Sequence, residues 1–518
     1  MVVRFVIVSM FVFVAISSCR HLPGDTGQQS QVRSGGDASS DVHARIRQRL
    51  QSGPELNRLA AAVKIMHDTK IPGTNTSWWT ELAATHLNSC PHGNWFFLPW
   101  HRAYLVAFEK VAAQLLNDPT FALPYWDWSK DIKLPAAFRD MQSPLYLPPP
   151  AGMFPIPAGI CRLITEIVIP SKTSSEVVDR ILALTDFDAF GSGRAADLRS
   201  DPEIYRPGAF EGGPHGAVHS FIGSTSCPMG GMDSALDPIF WIHHANIDRI
   251  WEQWVRLVGP IVSLPGPPPP SEFAWTSDYW LDHDLGEFPA MAADGSKTIA
   301  HFKVRDVINL GDSSVGTDYF YDTHLSQPST IAVQPAMQVA KTTLELFARK
   351  IDRHFEAGLG RIVLNLSVTQ DGNTAAAEAF LDAVRAHKTT GKLKSLRLIA
   401  NGVRVTQQSS LLLIGSFGNS LPYLRASEVT PHSPFFLSFF DPFGFAGHNH
   451  RSPNGAVNEG TSGFVFDLLP LLTAQVNSGF NLKGFDGELV FAIYGDKLTE
   501  AIALKATENL AVKVEFGI

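Results

Sequence analysis

The chain has 518 residues, enough for two or three domains. With 45% hydrophobic and 18% charged residues it can bury a sizeable core, which excludes a disordered polymer. Its 42 basic residues against 50 acidic ones leave a net charge of −8, so no basic excess argues for nucleic acid or an anionic membrane surface as a partner.

In chain order, Arg4 precedes an apolar run from Phe5 to Ile16 that is too short to span a bilayer. The run ends in Ser17-Ser18-Cys19, the layout of a secretory signal over residues 1–18. Residues 19–44, rich in Gly, Ser, Gln and Asp, read as a flexible tether. Ile16-Ser17-Ser18-Cys19 resembles a bacterial lipobox, which implies an acylated Cys19 and an exported protein: a periplasmic or outer-membrane lipoprotein, otherwise a secreted one. Beyond Cys19 only Cys90, Cys161 and Cys227 remain, so this is not a disulfide scaffold; pairing of Cys161 with Cys227 would leave Cys90 odd.

Residues 43–69 predict helix in two pieces divided at Gly53-Pro54, because Ile46, Leu50, Leu59, Val63 and Met66 recur at helical spacing. Further helices are expected over Ser77–His86 and over Leu98–Leu116, where Leu105, Phe108, Val111 and Leu115 form one stripe. Residues 117–175, with Pro148 to Pro150, read mostly as loop. Another helix should start at Pro238, capped by Asp237, and continue through Trp254. From about residue 340 short apolar or alternating runs, such as Leu411–Gly415 and Leu489–Tyr494, are separated by turn residues. The fold class is therefore multidomain: a mainly α-helical domain over 45–325, a linker over 326–339, and an all-β, sandwich-like domain over 340–518, with one helix-like insert at Ala375–His387.

Two histidine sets stand out. His215 and His219 are four residues apart and share a helix face, and the helix from Pro238 carries His243 and His244, of which only one can point at the same place. Upstream, His86, His92 and His101 fall within sixteen residues among Trp and Phe that would keep a site dry. Two imidazole triads on helices suit a metal pair held between facing helices. With no matching carboxylate or thiolate cluster, the donors favour copper, zinc or iron over calcium or magnesium, and copper is the best single choice because hydrolytic zinc pairs recruit carboxylates.

Cys90-Pro-His92-Gly-Asn-Trp-Phe-Phe-Leu-Pro-Trp-His101-Arg102 resembles the copper A signature of the tyrosinase family. Glu211-Gly-Gly-Pro-His215-Gly-Ala-Val-His219, with Asp237-Pro-Ile-Phe-Trp-Ile-His243-His244-Ala-Asn-Ile-Asp248-Arg249, resembles its copper B signature. The resemblance is to the type-3 dicopper polyphenol oxidases and catechol oxidases, of a bacterial type followed by a C-terminal β domain. It implies two copper ions, held by His86, His92 and His101 and by His215, His219 and His244, with His67 as the alternative to His86 and His243 packing beside the ligand. It also implies a thioether between Cys90 and His92, Glu211 as the acidic residue that orients a water near copper B as a relay for the phenol proton, and Gly216 as the position governing acceptance of monophenols. Asp248 and Arg102 would brace the ligand helices by an ion pair. Tyr319 and Tyr321 resemble the Tyr-x-Tyr element that closes the catalytic domain, with Arg47 or Arg49 packed on it by a cation–π contact.

The expected activity is copper-dependent oxidation of o-diphenols by dioxygen to o-quinones, with ortho-hydroxylation of monophenols as a second capability; haemocyanin-like reversible dioxygen binding is the alternative. Trp95, Phe96, Phe240 and Trp241 are candidate pocket walls, and the aromatic run around Phe443 is a candidate cover that keeps the enzyme latent. His448 and His450, two apart on a Gly/Asn-rich loop, read as solvent-exposed.

Overall fold

Helix starts follow local chemistry in the computed structural model, which describes residues 45–51, 53–146, 170–184, 186–193, 206–223, 227–258, 277–324, 341–349, 359–369, 374–390, 393–405, 411–418, 429–440, 462–495 and 504–517. Pro54 opens the helix Pro54–Asp68, where its missing N–H costs nothing. Ser77 caps Trp78–Ser89, its hydroxyl accepting from Thr80 N–H at 3.2 Å. The Asp237 carboxylate accepts from Ile239 N–H at 2.9 Å at the start of Pro238–Val258. Phe97–Leu116 is buried over almost its whole first four turns, so it forms the centre of the helical region. Among the described residues, no helix is long and apolar enough to cross a membrane.

The first helical piece expected over 43–52 is instead strand β1, Arg45–Arg47, paired in parallel with β4, Tyr319–Tyr321. The reason is charge. In an extended segment Arg45 and Arg47 both turn inward while Ile46 faces out, and the buried guanidiniums meet Glu109 at 3.0 and 2.8 Å. A helix could not place residues i and i+2 on one face. A hairpin of β2, Asp284–Met291, and β3, Lys297–Lys303, follows, with β2 packed on the Phe97–Leu116 helix.

The C-terminal part is β-rich but not all-β. Strands β5 (Lys341–Arg349), β6 (Leu359–Thr369), β7 (Ser395–Val405), β8 (Leu411–Phe417), β9 (Phe436–Phe440), β10 (Ser462–Asp467), β11 (Glu488–Gly495) and β12 (Leu504–Gly517) form one sheet in the order β10-β7-β12-β5-β6-β11-β8-β9. Helix Thr374–Arg385 matches the expected insert; Leu469–Asn477 was not expected, because its apolar run reads equally well as a strand. Alternation along the strands assigns the two faces. Val490 and Ala492 of β11 and Leu412 and Ile414 of β8 join the core of the helical region, whereas Leu489, Phe491 and Phe417 join a second core with Phe380, Leu471 and Leu472 of the two helices. A sheet covered on both faces explains the continuous apolar runs, which a sandwich with one wet face per sheet would not require.

Further contacts join the β-rich part to the helical one. Arg397 of β7 is buried against Asp186 and Asp188 at 3.1 and 2.6 Å. Strand β9 lies against residues 211–215, where its Phe439 carbonyl faces Gly213, and Phe436 lies under Arg180 at 5.6 Å.

Candidate metal centre

Three elements bring the first histidine set together. His86 ends the Trp78–Ser89 helix, His92 follows the Cys90-Pro91 break, and His101 occupies the second turn of Phe97–Leu116. Their ring centroids lie 5.4–5.7 Å apart, all buried. His67 is not among them: it stacks on Trp79 at 4.7 Å, away from the cluster. The second set comprises His215, His219, His243 and His244, whose candidate ligand nitrogens lie within 4.8 Å of one another. The sets face each other, His101 stacking on His244 at 4.3 Å and His92 on His215 at 5.8 Å.

Backbone carbonyls set the tautomers. Nδ1–H of His86 donates to Met232 O at 2.8 Å, that of His101 to Phe97 O at 2.8 Å, that of His215 to Glu211 O at 3.1 Å, and that of His219 to Met229 O at 2.8 Å. A carbonyl can only accept, so in each ring the proton sits on Nδ1 and the Nε2 lone pair is left for another use. Nε2 of His86 and of His101 is buried without a hydrogen-bond partner among the described residues. Nε2 of His219 and of His244 lie 3.2 Å apart. Burial pushes the His86 pKa down to about 4; burial, with neighbouring imidazoles adding to it, holds His101, His215 and His244 well below the ordinary imidazole range. Buried, neutral imidazoles with orphaned lone pairs are what a pair of late-first-row metal ions requires, so this donor set fits a dicopper centre.

The remaining predicted residues take distinct places. Cys90 Sγ lies 3.5 Å from His92 Nδ1, and burial pushes its thiol pKa up, so it stays protonated. Glu211 is buried, accepting from Gly93 N–H at 2.8 Å on one oxygen and meeting Ser192 Oγ on the other. Gly93 adopts φ +66, a left-handed backbone that glycine takes without strain. Burial raises the Glu211 carboxyl to about 8 against the opposing bonds from Ser192 and Gly93. Gly216 is buried directly after His215 at the start of Gly216–Gly223.

Asp248 gathers the bracing residues. Arg102 Nε donates to its Oδ1 at 2.5 Å, while Arg47, Tyr319 and Tyr321 converge on Oδ2 at 2.9, 2.6 and 2.6 Å. The cation–π partner of the tyrosine pair is Arg47, 3.6 Å over the Tyr319 ring; Arg49 instead pairs with Asp131. Of the expected pocket walls, Phe240 lies against the histidines, 4.2 Å from His244 and 4.7 Å from His86. Trp241 packs on Phe108 and Tyr104, Trp95 on Trp280, and Phe96 on His283, so these three serve the core. Three neighbours went unanticipated: Phe97, 4.7 Å from His215; Ser192 beside Glu211; and Trp128, which touches His243. Phe97 could have been found from its place four residues before His101; nothing local marks the other two. Cys227 is disulfide-bonded. Cys19, Cys161, Phe443, His448 and His450 lie outside the described residues.

A family model described as the common central domain of tyrosinase matches residues 61–157 and 162–257, which hold both histidine sets. A chloroplastic polyphenol oxidase of Malus domestica is 32% identical over 280 residues, covering 50% of this chain and 42% of that one. The tyrosinase HcTyr1 of Hahella sp. (strain CCB-MM4) is 34% identical over 223 residues, covering 40% and 44%. The matched segments thus span less than half the length of these relatives. In three dimensions the chain resembles latent apple tyrosinase (TM-score 0.56, 18% identity, 92% of this chain and 97% of that one) and latent aurone synthase (TM-score 0.60, 18% identity, 92% and 90%), a likeness of fold. With both signatures inside the matched segments and their histidines gathered into two facing clusters, residues 61–257 carry the common central domain of tyrosinase.

Proposed function

We propose that the protein is a copper-dependent oxidase that converts o-diphenols to o-quinones with dioxygen. The observation that carries this reading is the pair of facing, buried, neutral imidazole clusters. In it His86, His92 and His101 hold one copper ion and His215, His219 and His244 the other. Two such ions supply the redox chemistry that links a two-electron phenol oxidation to dioxygen. The chain's own part is to hold His86, His101, His215 and His219 through their Nδ1–H bonds, to exclude water, and to seat the substrate ring beside Phe240 and Phe97. Glu211, near neutrality in its buried setting, takes the phenol proton on its carboxylate.

Several finer readings accompany this one. Residues 45–325 form the catalytic domain and 340–518 a β-rich domain whose β9 covers residues 211–215 and keeps the enzyme latent. Cys90 Sγ joins a His92 ring carbon, each partner losing one hydrogen to dioxygen, which is reduced to hydrogen peroxide; the 3.5 Å approach supports this. Gly216 leaves monophenol hydroxylation weak. The disulfide at Cys227 supports export to an oxidising compartment, with Cys19 as lipid anchor.

Elemental analysis and oxygen uptake test the proposal. Two copper ions per chain and rapid oxygen uptake with catechol are expected, with slower turnover of phenol. Zinc in place of copper, or reversible oxygenation without catechol turnover after proteolytic removal of the β-rich part, would overturn it.

A further inference from the structure

The His243–His244 pair sits on one helix with both rings beside the copper B cluster, and the main chain gives no reason to prefer either. The distinguishing atom comes from elsewhere. Trp128 Nε1–H donates to His243 Nδ1 at 3.1 Å, both side chains being buried. An indole N–H can only donate, so His243 Nδ1 accepts and carries no proton. A ring that accepts at Nδ1 is not an imidazolium, so its one proton is on Nε2. This is the reverse of the tautomer found in His86, His101, His215 and His219, all of which donate from Nδ1.

The donor is firmly held. Trp126 N–H donates to Ile242 O at 3.0 Å, Asp127 pairs with Arg249 at 3.4 Å, and Trp126 Nε1–H donates to Asp131 O at 2.8 Å. Residues 126–131 are thus pinned to the helix that carries both histidines. His243 Nε2 is buried and makes no close hydrogen bond, the His215 backbone lying near the ring.

We propose that Trp128 is a positioning residue that fixes His243 as its Nε2–H tautomer. In that form the ring has no lone pair for a metal, which leaves the third copper B position to His244. It also presents a buried N–H donor beside copper B, suited to an oxygen anion bound there: a deprotonated phenol or, as a probe, the carboxylate of benzoate. This inference rests on the dicopper reading of the site.

Copper content and benzoate affinity test it on full-length protein. His243→Ala should keep two copper ions per chain and His244→Ala should keep one. His243→Ala should also weaken benzoate binding about tenfold, the scale of one hydrogen bond to a charged group. The decisive variant is Trp128→Phe combined with His244→Ala. Freed from its indole, His243 can turn Nε2 into a ligand, so this double variant should regain the second copper. Circular dichroism identifies any variant that fails to fold, and Trp128→Phe alone, keeping two ions, serves as the folded reference. Loss of one copper in His243→Ala, full copper in His244→Ala, or no regain in the double variant would overturn the inference. Wild-type protein that binds no copper would instead overturn the underlying reading.

Discussion

Tyr321 and Asp248, 73 residues apart in the chain, meet through a 2.6 Å hydrogen bond from the phenol hydroxyl to the buried carboxylate. The bond fastens the end of the helical region to the helix that carries His244, four residues before Asp248. Tyr319, Arg47 and Arg102 complete the same carboxylate, so Asp248 ties together β1, β4 and two histidine-bearing helices.

Tyr321→Phe should lower stability by about 1–3 kcal/mol, because a buried carboxylate loses one donor. Arg47→Ala should cost more, about 3–5 kcal/mol, since Glu109 and Asp248 both lose a buried cation. Thermal melts of the copper-loaded variants check the order. Burial pushes the Asp248 pKa up, but Arg102 and Arg47 outweigh it and bring the pKa below its ordinary value of 3.8. Its stabilising contribution is therefore present above that value and lost as pH falls through the depressed one. Wild-type protein should show an acid-unfolding limb that begins below about pH 4 and is lost in Asp248→Asn.

Removal of copper gives a second test. The folded apoprotein keeps His86 neutral down to about pH 4, whereas the unfolded chain protonates near 6.5. Stability contributed by this ring is present above 6.5 and lost as pH falls toward 4, so the apoprotein should melt at lower temperature at pH 5 than at pH 7. Copper affinity itself depends on the folded apo rings. Chelator competition should find it nearly constant between pH 7 and 5, then falling near 4. A steep loss already at pH 6.5 would mean exposed, ordinary imidazoles.

Glu211→Gln should leave both copper ions in place and lower catechol turnover by roughly 100-fold, the usual range for one general base. A carboxylate works as a base only when ionised, so wild-type turnover should rise with pH along a limb at or below 8, copper charge pulling the midpoint down. The limb should be absent from the Gln variant.

Arg397 is the buried cation between β7 and the pair Asp186 and Asp188. Arg397→Ala removes the cation that these two carboxylates share at that contact. Limited proteolysis between the helical and β-rich parts should become faster, and catechol oxidation should rise in the uncut protein. Unchanged activity with faster cleavage would mean that the β-rich part docks without covering the site.

Much of the site was legible because its chemistry is local. Cys90 and His92, and His215 and His219, are separated by fixed short steps, and the caps at Ser77 and Asp237 act within three residues. Less legible were features that depend on partners distant in the chain. Arg45 and Arg47 look like a helical surface until Glu109 and Asp248 are placed beside them, and Trp241 looks like a pocket wall until its ring is found on Phe108.

The amino-acid sequence alone thus singled out the two histidine sets and the helices that carry most of them, and pointed to copper, since residue type and helical spacing bear on those. Only the tertiary structure placed His86 rather than His67 in the cluster, Arg47 rather than Arg49 over the tyrosine ring, and an indole N–H on His243 Nδ1. Each of these choices turns on a partner brought in from another part of the chain: Met232, Tyr319 and Trp128. No spacing rule encodes such contacts, because burial and hydrogen-bond satisfaction act across space rather than along sequence.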